Sequence, residues 1–234
     1  MAGGKKSGRL DFVHLRTHSA YSLQEGAVGV EKLIGAAIVD HQPALAITDT
    51  ANMFCALEFS EKASKKGLQP IVGCSFELDF GLPQASGRGQ QSALQSLPSM
   101  VFYCQNEEGY ENLTGLISQA YMAGVESGRL CLQIDELSRR SAGLICLTGG
   151  PTGPLNMTLA DNRSQDADRV LDMLKLAFGD RLYIELQRFE NYDREVEHAL
   201  MSLAIEHDLP VVATNEEIFA TAEDYDAHDA LLCI

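Results

Sequence analysis

Short apolar runs alternate along this chain with stretches in which apolar residues recur at helical spacing. Strand-sized runs fall at Phe12–Leu15, Ala44–Ile47, Pro70–Val72 continuing to Phe80, Val101–Cys104, Leu144–Leu147, Leu182–Leu186 and Pro210–Ala213. Most are unbroken rather than alternating, as expected of parallel strands buried on both faces. Between them, Val30, Leu33, Ile34, Ala37 and Ile38 keep helical spacing. So do Val170, Met173, Leu174 and Ala177 in a segment ending at Gly179, and Val196, Leu200, Leu203 and Ala204. Gly67 stands where a helix C-cap belongs.

Seven strands separated by helices predict a parallel, barrel-like α/β domain. The competing architecture is an open doubly wound sheet, but no Gly-x-Gly-x-x-Gly follows any strand, which counts against a dinucleotide fold. One segment breaks the rhythm. Gly81 to Ser99, rich in Gly, Gln, Ser and Pro, predicts a long mobile surface loop. In such barrels chemistry gathers where strands end. Those positions hold His14, Arg16 and His18; Thr48 and Asp49; Ser75 and Glu77; Thr148; Glu185 and Gln187; and Asn215.

Charge narrows the picture. Eighteen Lys and Arg against 33 Asp and Glu give a net charge of −15. A chain this acidic repels phosphate backbones, so direct DNA binding by this domain is not expected. The first eleven residues, with Lys5, Lys6 and Arg9 and no apolar stretch behind them, read as a disordered tail and not a signal peptide. No run is long enough for a membrane span. Six cysteines are scattered without a C-x-x-C pair, which reads as reduced thiols in a cytoplasmic protein. A lone Gly-rich turn, Gly149-Gly150-Pro151-Thr152-Gly153, is weak evidence for a phosphate cradle. Lys62, Lys65 and Lys66 read as one solvated helix face.

Specific motifs carry a resemblance. Val13-His14-Leu15-Arg16-Thr17-His18-Ser19-Ala20-Tyr21-Ser22 resembles the opening motif of the PHP (polymerase and histidinol phosphatase) superfamily. Ala44 to Asp49 with Asn52-Met53-Phe54, and Gly67 to Cys74, follow in family order. Asn106 to Leu113 is similar to the form of the domain found in bacterial DNA polymerase III alpha subunits, and Val212 to Asn215 and Ala227 to Ile234 point the same way. The resemblance implies a distorted seven-stranded parallel β/α barrel over 12–234, a single domain that stops at or before its usual end. Polymerising regions would then lie C-terminal to it.

An active domain of this family holds several metal ions in a ring of His, Asp, Glu and Cys. Checked against that ring, Arg16 stands where a histidine belongs, Thr50 replaces a histidine after Asp49, and Ser75 replaces a glutamate. Ser99 and Gly150 fall at a histidine and a cysteine position, and Glu216 and Ile218 replace an Asp and a His. The resemblance therefore implies a vestigial cluster of His14, Arg16, His18, Asp49, Glu185 and His228, with no catalytic residue, no metal and no cofactor. His228, on a predicted C-terminal helix, also reads as a capping or packing residue. Arg16 is expected to take the vacated cation position and pair with Asp49, and also with Glu185. The implied partners are the rest of the polymerase subunit and the separate proofreading exonuclease (epsilon) subunit. The alternative is an active metal-dependent phosphoesterase or 3'-5' proofreading nuclease.

Overall fold

The computed structural model describes residues 12–23, 25–82, 97–189, 192–217 and 224–233. The tail expected over 1–11 lies outside them, as do residues 83–96 of the loop expected over 81–99. The elements run β1 (Arg16–Thr17), α1 (Val30–Val39), β2 (Ala44–Ile47), α2 (Ala56–Lys65), β3 (Gln69–Asp79), β4 (Ser99–Cys104) and α3 (Glu107–Ser127). They continue with β5 (Leu132–Gln133), α4 (Ile134–Arg139), β6 (Leu144–Leu147), α5 (Pro154–Ala160), α6 (Ser164–Phe178), β7 (Leu182–Leu186), α7 (Arg194–Glu206), β8 (Val211–Ala213), β9 (Glu216–Glu217) and α8 (Tyr225–Leu232).

Six strands form the path β2-β3-β4-β6-β7-β8, β5 joins β3 at its far end, and β1 pairs with β9 in a separate ladder. The α/β barrel-like character expected from the sequence is present, but the sheet is mixed. Strand β4 runs antiparallel to both β3 and β6, while the other pairings are parallel. The reason is in the connection. A parallel neighbour needs a crossover, usually a helix, whereas the Gly81–Ser99 stretch has no helical periodicity and returns the chain beside the strand it left. The first strand also differs. Residues 13–15 are not a strand, although the His14 carbonyl accepts a bond from Ala46 N–H (2.9 Å); β1 is confined to Arg16–Thr17.

The helical spacings resolve as α1, α6 and α7, whose periodic residues Ile34, Val170, Leu174 and Leu200 are buried. Among the described residues, two helices start on side-chain caps: Asn106 Oδ1 accepts from Gly109 N–H at the head of α3, and Asp193 Oδ1 from Glu195 and Val196 N–H at the head of α7. Such caps each contribute about 1 kcal/mol.

The core lies on both sides of the sheet. Outside, Phe76, Phe102, Leu113, Leu171 and Phe178 pack between the strands and the later helices, with Phe102 stacked on Phe178 at 6.0 Å. A second outer cluster seats Ile34, Leu45, Ile47 and Phe59 between β2 and helices α1 and α2. Inside the curl, Ala46, Val101, Tyr103 and Leu147 pack with Leu15, Tyr183 and Val212. Burying each large side chain stabilises by roughly 1.5–3 kcal/mol. This inner plug fills the lower barrel and leaves the strand ends above it to the polar residues.

Candidate functional site

The polar residues at the strand ends divide into two groups, and the ladders decide the division. The β1–β9 pairing is parallel and sets Arg16 directly opposite Glu216. The Arg16 guanidinium is 2% exposed. Its Nη2 donates to Glu216 Oε1 at 2.7 Å, and its Nη1 donates to the Gly149 carbonyl at 3.1 Å and to Glu185 Oε1 at 3.5 Å. Glu185, fully buried near the end of β7, also accepts from Gly149 N–H (2.9 Å), Gln187 Nε2 (3.2 Å) and the Thr214 hydroxyl. His18 lies on the other side of Glu216, its Nε2 3.2 Å from Glu216 Oε1 and its Nδ1 3.1 Å from Ser22 Oγ. Arg16, His18 and Glu185, all buried, thus form one polar cluster at the mouth of the barrel, closed on its outer side by the more exposed Glu216.

Asp49 belongs to the second group. Its carboxylate accepts from Ser19 N–H, Ser19 Oγ and Ser22 Oγ, each at 2.7 Å, and from the Cys55 thiol at 3.1 Å. The expected Arg16–Asp49 pair does not form, because these four donors already occupy both carboxylate oxygens. Burial and the negative charge of Asp49 push the Cys55 thiol far above its ordinary range, so it is an inert donor and not a nucleophile.

Among the described residues, the positions that differ from the family's ligand ring are filled from within the protein. Ser75 Oγ lies 3.0 Å from Ser99 Oγ, so two of the replaced positions bond to each other. Thr50 N–H donates to Ser22 Oγ (3.1 Å) and its hydroxyl donates to Glu25. A side chain at Gly150 would meet the Gln187 amide at 2.8 Å, so Gln187 takes that space. Ile218 lies outside the described residues. In the turn Gly149–Gly153, the Gly149 N–H donates to the buried Glu185 carboxylate. His14 sits below the cluster with its ring edge-on to Phe12 at 5.0 Å. His228 joins α8 to the loop above Asp49, its Nε2 lying 2.6 Å from the Glu25 carbonyl.

These residues do not fit a metal cluster. An ion needs about three or four lone-pair donors, and guanidinium offers none while carrying a fixed positive charge. Among the described residues, no group of three or more His, Cys, Asp or Glu side chains is arranged to hold a metal ion.

Residues 14–189 match the PHP domain family. The chain belongs to that family. This PHP domain is 40% identical to the DNA polymerase III subunit alpha of Caulobacter vibrioides across 95% of the chain and 19% of that protein. Its identity to the Escherichia coli K12 subunit is 35%, across 95% of the chain and 18% of the relative. It therefore spans about a fifth of these relatives' length. In fold it is similar to an amidohydrolase from Chromobacterium violaceum solved with bound sulfate and no metal, at a TM-score of 0.59 and 12% identity, covering 94% of this chain and 96% of that one.

Sequence reasoning missed Glu216 as a partner of Arg16. The signal was available: Glu216 follows Thr214-Asn215 at the end of the last strand, where the same strand-end logic applies. Burial alone would raise the Glu216 carboxyl, but its His18 hydrogen bond and the Arg16 charge outweigh that and hold it below its ordinary value of 4.5. A carboxyl depressed on folding stabilises the fold above its unfolded pKa, and the stability is lost as pH falls through the folded value. Stability measured by urea unfolding should therefore drop as pH falls below about 4.5. In Glu216→Gln that acid limb should be shallower; an unchanged limb would mean that the pair contributes nothing.

Proposed function

We propose that this PHP domain serves the alpha subunit of a bacterial replicative polymerase as a structural and docking domain without metal chemistry of its own. The observation that carries the reading is the Arg16 guanidinium, buried between Glu185 and Glu216 at the mouth of the barrel. A positive charge is already built into the place a cation would need. In this reading no metal or cofactor is required, and the domain braces the polymerase core and receives the proofreading exonuclease subunit. DNA-directed polymerisation belongs to other regions of the full subunit. The net charge of −15 supports a role away from the DNA grip. Six free cysteines fit a reducing cytoplasmic location. Among the described residues no helix is long and apolar enough to cross a membrane.

The test is a nuclease assay on this domain. Single-stranded DNA incubated with it in manganese or zinc should release no nucleotides above a metal-free control. Metal-stimulated release abolished by His18→Ala would establish the alternative, an active phosphoesterase or proofreading nuclease.

A further inference from the structure

The two polar groups at the mouth meet at the His18 ring, and the roles of its neighbours fix how many hydrogens that ring carries. The ring is buried, with Nδ1 3.1 Å from Ser22 Oγ and Nε2 3.2 Å from Glu216 Oε1. A neutral imidazole donates from one nitrogen and accepts at the other, and only the imidazolium donates from both.

On the first side, the single Ser22 hydroxyl hydrogen goes to Asp49 Oδ1 at 2.7 Å, a distance typical of a hydroxyl on a carboxylate. Thr50 N–H donates to the same Ser22 oxygen at 3.1 Å, so one lone pair is left there, and Nδ1 must donate to it. Asp49 has no hydrogen to return. Its other bonds come from Ser19 N–H, the Cys55 thiol and the Ser19 hydroxyl, whose own oxygen accepts from Tyr21 N–H. On the second side, Glu216 Oε1 accepts from Arg16 Nη2 at 2.7 Å, as an ionised carboxylate does. A carboxylate in that state only accepts, so Nε2 donates as well.

We infer that His18 is held in the folded domain as the imidazolium, a second built-in cation beside Arg16 that clamps β9 to the turn following β1. The clamp matters because β9 is two residues long and, among the described residues, pairs with no strand but β1. The next element, α8, rests on the same turn through His228 and the Glu25 carbonyl. The charges facing the ring are Glu216 on β9, Glu25 with Oε2 3.7 Å from Nδ1, Asp49 behind Ser22, and Arg16. Three carboxylates stabilise a positive ring, and the opposing Arg16 is itself engaged by Glu185 and Glu216. An imidazolium has no lone pair to offer, so in this state His18 is neither a metal ligand nor a general base. The inference rests on the metal-free role proposed above and assigns the second charge that fills the mouth.

Nitrogen NMR of the isotope-labelled domain, at neutral pH and without metal, tests it on the unaltered chain. The His18 signals are assigned by through-bond correlation, so no variant has to fold. Two hydrogen-bearing ring nitrogens are expected; one bare nitrogen overturns the inference. Zinc added to the same sample separates this result from the proposed function. A His18 nitrogen that shifts on zinc binding overturns the metal-free role, and the inference with it. A bare nitrogen that zinc does not move overturns the inference alone.

Discussion

Arg16→Ala is expected to destabilise this domain by about 3–5 kcal/mol, the usual cost of breaking a buried ion pair from one side. The size follows from what is left behind. Glu185 is fully buried and would keep only neutral donors, Gly149 N–H, Gln187 and Thr214. The Gly149 carbonyl would lose the Nη1 donor, and Glu216 would lose its 2.7 Å contact. Lys65→Ala is the comparison, because Lys65 is 73% exposed and paired only with Glu61, and surface pairs contribute between zero and about 1 kcal/mol. Urea midpoints for the two variants should separate clearly. The combination Arg16→Met with Glu185→Gln should recover part of the loss, since it strands less uncompensated charge. An Arg16→Ala variant that unfolds like the wild type would contradict the assignment.

Gly149→Ala should be nearly as damaging, by about 2–5 kcal/mol, and for a backbone reason. Gly149 has φ +90°, a conformation that costs an L side chain roughly 1–2 kcal/mol. A Cβ there would also stand 1.9 Å from the Ser99 carbonyl oxygen and 2.9 Å from Gly153 Cα, neither of which can swing away as a flexible side chain would. Relieving that overlap adds about 1–3 kcal/mol. It also shifts the very peptide groups that bind Glu185 and Arg16. Gly67→Ala separates the two contributions: Gly67 has φ +78° but open space around its Cβ position, so it should lose only the conformational part. Equal losses at the two glycines would show that the crowding at Gly149 is relieved without cost.

Much of the fold was legible because burial writes itself into unbroken apolar runs. Ala44–Ile47, Leu144–Leu147 and Leu182–Leu186 are strands with the bounds the sequence suggests. Direction was not legible from those runs, since a strand buried on both faces looks the same whichever way it points. The sequence signal for the reversal of β4 is instead the lack of helical periodicity over Gly81–Ser99. Short pieces such as β5 and β9 escape any periodicity, being two residues long.

At the site, the residue types at strand ends indicated which side chains meet, but not who pairs with whom. Arg16 stood out in the sequence as a guanidinium at a strand end among His and carboxylate residues, and it is buried there. Of its partners, Glu185 was expected and is found, whereas Asp49 is satisfied locally by Ser19 and Ser22 and Glu216 was not legible, because the β1–β9 register that brings it to Arg16 spans 200 residues of chain.

In the function proposed above, the buried Arg16 guanidinium stands in place of a metal ion in this PHP domain. Elemental analysis of the purified domain, after equilibration with zinc and manganese and removal of free ions, tests it most directly. The expected result is far less than one ion per chain, unchanged in His18→Ala. One or more retained ions per chain, lost when His18 is replaced, would contradict it.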